Sequence, residues 1–398
     1  MKTIILTNQH SDNRGDESAV VGVIFSLRKA FGEDTKIVIY LQSGSREKFL
    51  TGIDNVEEKS MLAGIFNFIE MSMWVAFKTM GIDIRFLCTK QMKSFLEIHE
   101  QTTYVISSCG GPYIGDIYIN HEIFHILHML IPQLLGKKTA FYAPSMGPFN
   151  NKFMNFFRRK MLKKTTVVTI RDPVSHEYLT EFLPERKDDI HLTTDACLAY
   201  EVDQNNKTES AQEMIGITPL DYNYPLTVNK QAKKNEYEDT IIRTLNTLMD
   251  ENANLIVQFF PQLYANRTDV PFIRKIVEKL KYPERTIIFS EKKSGVDQQK
   301  EIAKLKYMIA CRYHSAIFAC KVNTPTVCIV YEHKAMGFME SVHLGEYCID
   351  IYKLDEKKLL EKISLLNRNT SQIKKTLPIE ISRLRNIANL TAELIYKS

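Results

Sequence analysis

The sequence predicts an α/β fold with two doubly wound, parallel-sheet domains facing a central cleft. Short β-branched runs alternate with longer amphipathic segments from end to end, the pattern of stacked βαβ units. At 398 residues the chain exceeds what one ordinary core serves. The rhythm restarts after a polar stretch at 201–211 that has no apolar period and serves as the expected linker. The domains are therefore placed at 1–200 and 212–375, with a covering helix at 376–398.

In the first half, strands are expected near 2–7, 36–41, 103–108, 138–144, 166–170 and 190–193. Helices are expected at 16–31, 120–135, 151–163 and 173–182. The second half gives strands near 213–218, 254–260, 285–289, 307–311 and 325–330, with helices near 229–250, 270–281, 297–305, 314–320 and 354–366. A terminal helix over about 378–396 is expected to pack back as a cover.

Composition narrows the function classes. Hydrophobic content of 44% and charged content of 25% exclude disordered and fibrous chains. A net charge of +5 spread over this length is not the concentrated basic face of a nucleic-acid binder, but it suits an acidic small substrate or a nearby anionic surface. The apolar run after Met1 is too short for a signal-peptide core. Seven cysteines, with no C-x-x-C pair, read as reduced core thiols of a cytoplasmic protein. Sequons such as those at Asn206 and Asn389 then read as chance matches.

Two segments depart from the pattern. Residues 61–80 are strongly apolar but broken by Asn67, Glu70 and Lys78, which argues against a membrane span. They suit a buried or lid helix, or a face resting on lipid around Trp74. Residues 151–164 carry Lys152, Arg158, Arg159, Lys160, Lys163 and Lys164 beside Phe153, Met154, Phe156 and Phe157, with no acid. That is a solvated helix face or a contact with anionic headgroups, through Arg158, Arg159, Lys163 and Lys164.

The chemistry-bearing residues fall at strand ends. Asn13-Arg14-Gly15-Asp16 follows the first strand, where a glycine permits close backbone approach and a helix N-terminus offers free N–H groups. Gly110-Gly111, with Asp116 shortly after, follows another strand, and Gly147 and Arg171-Asp172 follow the next two. None of these is a dinucleotide or nucleoside-triphosphate loop.

In the second half, Arg312-Tyr313-His314-Ser315 sits where a buried strand passes into a helix, and Lys334 emerges at the end of the neighbouring strand. Arginine supplies a fork for phosphate or carboxylate, lysine a point charge, and histidine a proton shuttle near neutral pH. His121, His125 and His128 stack at helical spacing without the remaining ligands of a zinc site.

The ordered set Asn13-x-Gly15-Asp16, Gly110-Gly111, Asp116, Gly147-Pro148, Arg171-Asp172-x-x-Ser175, Arg312-x-His314-Ser315, Pro325 and Tyr331-x-x-Lys334 resembles the polysaccharide pyruvyl transferases over roughly residues 3–345. Two positions depart from that pattern. The strand Lys306-Tyr307-Met308-Ile309-Ala310 lacks an acid before Arg-x-His, and Arg14 stands where the family usually has an apolar residue.

The resemblance implies a GT-B-like pair of Rossmann-like domains and transfer of a pyruvyl group from phosphoenolpyruvate to two hydroxyls of a sugar, forming a ketal. It implies His314 as proton shuttle, Asp116 or Asp16 acting on the acceptor, and Arg312, Lys334, Arg171 and Ser315 holding phosphoenolpyruvate. Asn13, Gly15, Gly110, Gly111 and Gly147 would form acceptor and backbone loops. No cofactor and no metal set are expected. The implied partners are phosphoenolpyruvate, a sugar acceptor on a lipid-linked glycan in exopolysaccharide or capsule synthesis, and the inner face of the cytoplasmic membrane as a peripheral contact. The rival reading is a GT-B glycosyltransferase using a nucleotide sugar, with Glu332 or Glu340 gripping its ribose.

Overall fold

A computed structural model describes residues 2–10, 12–42, 50, 53–108, 110–111, 113–203, 213–264 and 268–398. Most of the expected linker lies outside the described residues. The chain divides into two compact units: Met1–Ser11, Asp16–Tyr200 and Arg385–Ser398 form the first, and Asp12–Gly15 and Glu201–Leu384 form the second. Both are α/β, built on parallel sheets of seven and six strands.

The first unit contains β1 (Thr3–Gln9), β2 (Lys36–Leu41), β3 (Val56–Ser60), β4 (Tyr104–Ser107), β5 (Lys138–Phe141), β6 (Val167–Ile170) and β7 (Ile190–Leu192). Their order is β3-β2-β1-β4-β5-β6-β7. Its helices are α1 (Arg14–Phe31), α2 (Ile65–Thr79), α3 (Lys90–Glu100), α4 (Ile119–Leu134), α5 (Lys152–Lys164) and α6 (Pro173–Phe182). Buried side chains of β1, β2, α2, α3 and α4 form one core cluster, and those of α4, α5, α6 and β6 a second. Parallel strands buried on both faces need near-continuous apolar runs, which Ile4-Ile5-Leu6 and Ile37-Val38-Ile39 supply. Strand β3, Val-Glu-Glu-Lys-Ser, was not expected. It is a half-exposed edge strand, so it carries charge in place of an apolar run.

The second unit contains β8 (Met214–Ile217), β9 (Ile256–Phe259), β10 (Thr286–Ile288), β11 (Tyr307–Ala310), β12 (Thr326–Val330) and β13 (Cys348–Asp350), ordered β10-β9-β8-β11-β12-β13. Its helices are α7 (Lys230–Glu251), α8 (Val270–Val277), α9 (Gly295–Ile302), α10 (Tyr313–Lys321) and α11 (His333–Ser341). Helix α11 and the three-residue β13 were not expected.

The two helices expected at the C-terminus are one, α12 (Glu356–Lys397), continuous through Pro378. Proline removes the amide that would bond the Lys374 carbonyl one turn earlier. The Asn323 side-chain amide donates to that carbonyl instead, at 3.2 Å. An apolar stripe at Leu366, Ile373, Leu377, Ile381 and Leu384 carries the helix across the break. Its last turns cover the first unit's sheet, where Asn389 Nδ2 donates to the Ala199 carbonyl (3.1 Å) and Ser26 Oγ donates to Asn389 Oδ1 (2.6 Å). These bonds occupy the side chain of that sequon's asparagine. The six described cysteines are buried and unbridged; Cys109 lies outside the described residues.

Polar groups buried in the first unit decide its chemistry. Arg158, expected on a basic outer face, is fully buried, which corrects its assignment to a membrane contact. Its guanidinium bonds Glu122 (2.8 and 2.7 Å), Asp116 (2.8 Å) and Asn155 (2.7 Å), tying α4, α5 and the 3-10 turn Asp116–Tyr118 together. Burial pushes the Glu122 carboxyl above its ordinary value, with Arg158 opposing the shift.

His99 and His128 are also fully buried. A carbonyl can only accept, so His99 holds its proton on Nδ1 toward the Phe95 carbonyl (2.7 Å), and His128 on Nε2 toward the Leu62 carbonyl (3.3 Å). Desolvation depresses the two rings to about 3 and about 4 respectively.

Two stability predictions follow from these groups. Unfolding frees both imidazoles to titrate near about 6.5, so their neutral-state contribution is complete above that pH. It is lost as the pH falls toward about 4 and then about 3. Melting temperature measured from pH 7.5 down to pH 5 should fall by about several degrees, and His99→Leu should flatten the slope. An unchanged slope in the variant would remove His99 from the account. Arg158→Ala strands a buried carboxylate and should cost about 3–5 kcal/mol in denaturant titration. Adding Glu122→Gln to Arg158→Met should recover most of that loss.

Candidate active site

In the second unit, the strand order reverses between β8 and β11, the place where open α/β sheets bind ligands at their strands' carboxyl ends. Arg312 adopts an extended backbone at the end of β11 and caps α10, so Tyr313 and His314 occupy that helix's first turn. The Ser315 hydroxyl holds this turn. It donates to the Arg312 carbonyl (2.7 Å) and accepts from the Arg312 amide (3.2 Å) and from Thr218 Oγ1 (2.8 Å). Those three bonds use a hydroxyl's full capacity, and Ser315 is completely buried. Ser315, expected among the substrate-binding residues, fixes the strand-to-helix turn through these bonds.

The Asp12–Gly15 segment belongs to this same unit. Asn13 pairs with Leu263 as an antiparallel bridge, and the Arg14 amide donates to the Gln262 carbonyl at 2.9 Å. Arg14 stacks its guanidinium 4.3 Å from the Tyr264 ring centroid and donates to the Glu291 carbonyl. Asn13 Oδ1 accepts from the Gly15 amide at 2.7 Å. The imidazole of His314 lies directly on Gly15: a β-carbon there would sit 2.0 Å from His314 Nδ1. Two motifs some three hundred residues apart thus meet, and glycine is required because the ring fills its side-chain space.

Arg312 Nη2 donates to Asp269 Oδ1 at 2.7 Å, and Asp269 Oδ2 accepts the amides of Gln262 and Leu263 at 2.9 and 2.8 Å. The buried Arg312 Nε has no partner among the described residues. Lys334, in the first turn of α11, pairs with Glu332 at 2.6 Å and lies 5.6 Å from the Tyr313 ring centroid. That ion pair engages Glu332, the acid considered for a ribose grip.

Beyond these residues stands a group that sequence reasoning missed. Tyr222, Tyr224, Tyr331 and Tyr352 come from the carboxyl ends of β8, β12 and β13, with Tyr222 centred 4.9 Å from Tyr224 and 5.1 Å from Tyr331. Burial and a hydrogen bond with Tyr352 push the Tyr222 phenol up to about 12. The Tyr222-Asn223-Tyr224-Pro225 run shortly after a strand was the available signal. Asp269, ahead of a Val270-Pro271 helix start, was another.

The first unit holds the remaining expected residues, mostly in structural bonds. Arg171 donates to Asp195 (2.7 Å) and Ser145 (3.0 Å), an ion pair buried on both sides. Asp116 accepts from Arg158 and from the Asn150 amide (2.5 Å). Burial would raise its carboxyl, but that amide and Arg158 more than offset it and hold the group below its ordinary value, which weakens it as a base.

Asp16 is buried in the first turn of α1. Gly110 and Gly111 make room for the Tyr113 ring, 2.6 Å from the position of a β-carbon on Gly110. Gly147 and Gly115 both have positive φ, and their backbones approach so closely that a β-carbon on Gly115 would lie 2.8 Å from Gly147. Tyr113 stacks on His10 at 3.8 Å, with His125 edge-on to both rings. Burial, and then the neighbouring His10, hold His125 well below its ordinary value.

The family model for polysaccharide pyruvyl transferase matches residues 13–333. The amylovoran biosynthesis protein AmsJ of Erwinia amylovora is 22% identical, over 99% of this chain and 99% of its own length. Among solved structures, a UDP-GlcNAc 2-epimerase from Neisseria meningitidis bound to UDP-GlcNAc superposes with a TM-score of 0.60 at 11% identity, covering 100% of both chains. A glycosyltransferase from Rickettsia africae gives 0.59 at 12% identity, over 100% of this chain and 98% of its own. At such identities these likenesses establish the fold, that of GT-B glycosyltransferases and epimerases. The match of the family model across most of the sequence makes this chain a member of the polysaccharide pyruvyl transferase family.

Proposed function

We propose that the protein transfers a pyruvyl group from phosphoenolpyruvate to two hydroxyls of a sugar residue, in the assembly of an exopolysaccharide or other cell-surface glycan. The acceptor is proposed to be carried on a polyprenyl diphosphate. The observation that carries this reading is the placement of Arg312, His314 and Lys334 at the N-terminal ends of two successive helices at one sheet edge. Phosphoenolpyruvate bears a phosphate and a carboxylate, and two cations of different geometry answer those two anions. Helix N-termini add a positive field of the same sign.

The steps balance without a cofactor. A proton goes to the C3 methylene, a sugar hydroxyl attacks C2 and gives up its proton, and the C2–O bond to phosphate breaks. The second hydroxyl then closes the ketal, its proton leaving with phosphate. His314 is the proposed proton shuttle, Arg312 and Lys334 the anchors, and Asp16 the carboxylate facing the acceptor. The aromatic wall of Tyr222, Tyr224, Tyr331 and Tyr352 suits the exclusion of water from a cationic C2.

The deciding assay is phosphate release from phosphoenolpyruvate with a panel of synthetic and lipid-linked glycosides, the product being weighed for a pyruvyl ketal. Acceptor-dependent release supports the assignment. Silence across the panel, with thermal stabilisation by a nucleotide sugar alone, would replace it with the glycosyltransferase reading. His314→Ala should lower turnover by about a hundredfold or more with little change in melting temperature. Gly15→Ala should approach the same loss, because the imidazole must move to admit the methyl group. A Gly15→Ala protein with native turnover would show that His314 need not stand where it does.

A further inference from the structure

Helices α2, α4 and α5 form one layer on the first unit's sheet. Phe68 of α2 packs edge-on to Phe124 of α4 at 5.7 Å, and Arg158 of α5 bonds Glu122 of α4. Each helix follows a strand of a parallel sheet, so all three N-termini lie at the strands' carboxyl edge. Six large apolar side chains are exposed at that rim: Ile65, Phe66 and Ile69 on α2, Ile117 just before α4, and Phe153 and Phe156 on α5. Phe66 and Phe153 are 66% and 74% exposed. Single exposed apolar residues need no explanation, but a cluster at the start of three adjacent helices does.

The polar surroundings choose the occupant. Apart from the buried Arg158, α5 carries Lys152, Arg159, Lys160, Lys163 and Lys164 and no acid. Lys163 pairs with Glu185, and Arg159 stacks 4.2 Å from the Phe182 ring centroid. Glu70, an acid of α2, is engaged by the Thr89 amide and hydroxyl at 2.6 and 3.0 Å. A second copy meeting this face about a two-fold axis would set basic α5 surfaces together, which like-charge repulsion opposes. Exposed aromatic and aliphatic side chains beside the basic helix α5, which opens with Lys152 and carries Lys160 two turns on, match the interface of an anionic lipid bilayer. No described helix is long and apolar enough to cross a membrane.

We propose that this rim docks the first unit on an anionic membrane surface, carboxyl edge of the sheet toward the lipid. The proposal stands on the surface alone and does not depend on the reaction assigned above. Full-length protein is sedimented with vesicles of phosphatidylcholine, with or without phosphatidylglycerol. Binding is expected to the phosphatidylglycerol vesicles and to weaken with salt. The exposed-site variant Phe66→Ser/Ile69→Ser/Phe153→Ser/Phe156→Ser should lose about tenfold or more in partition at unchanged melting temperature. Lys152→Glu/Lys160→Glu should reduce the preference for the anionic lipid severalfold.

Wild-type protein that stays in the supernatant, or a serine variant that binds as well as wild type, would overturn the proposal. Light scattering supplies another route to refutation: a wild-type dimer that the serine variant makes monomeric, without vesicle binding, assigns the rim to self-association. A phosphoenolpyruvate assay run in parallel on soluble glycosides keeps loss of docking distinct from loss of catalysis.

Discussion

Parallel pairing of every strand is the constraint from which the site follows. A parallel neighbour must be reached by a crossover, which returns the chain to the same end of the sheet each time. Strand carboxyl ends, the loops behind them and the N-termini of the following helices are thereby gathered along one rim. In the second unit this rim collects Tyr222 from β8, Gln262 from β9, Arg312 and His314 from β11, and Tyr331 and Lys334 from β12. In the first it collects His10, Tyr113 and the exposed apolar tips of α2 and α5.

That rim is crowded with polar groups, and burial sorts them. A buried donor or acceptor without a partner is costly, so most short polar side chains there are consumed by the backbone. Ser315 closes the turn that presents Arg312. Asp269 orients the same arginine while taking two amides, and Arg171 is satisfied by Asp195 and Ser145. The long cationic side chains keep donors in reserve after one ion pair: Arg312 Nε has no partner among the described residues, and Lys334 has three donors against one carboxylate. The separation of scaffold from chemistry thus follows from side-chain capacity as much as from position.

Much of this was legible in the residues. Buried strands such as Ile37-Val38-Ile39 declare themselves because both faces must be apolar. The ordered motifs named the family because each marks a strand end. Strand β3 escaped because an edge strand needs no apolar run, and α12 was split in two because Pro378 is a strong local stop signal. What rescues that helix, an amide from Asn323, is fifty-one residues distant and invisible to local pattern.

By itself, then, the sequence determined the fold class, the family and the candidate trio of Arg312, His314 and Lys334, because each depends on periodicity or on residue type at a strand end. Tertiary structure alone decided which polar groups are spent on the fold. Arg158 looks from its neighbours like one more cation on a basic surface, yet Glu122 and Asp116 take it into the interior. Gly15 looks like a ligand loop, yet its missing side chain is the seat of His314. Partners such as these lie tens to hundreds of residues away, and a local pattern carries no information about who arrives from across the sheet.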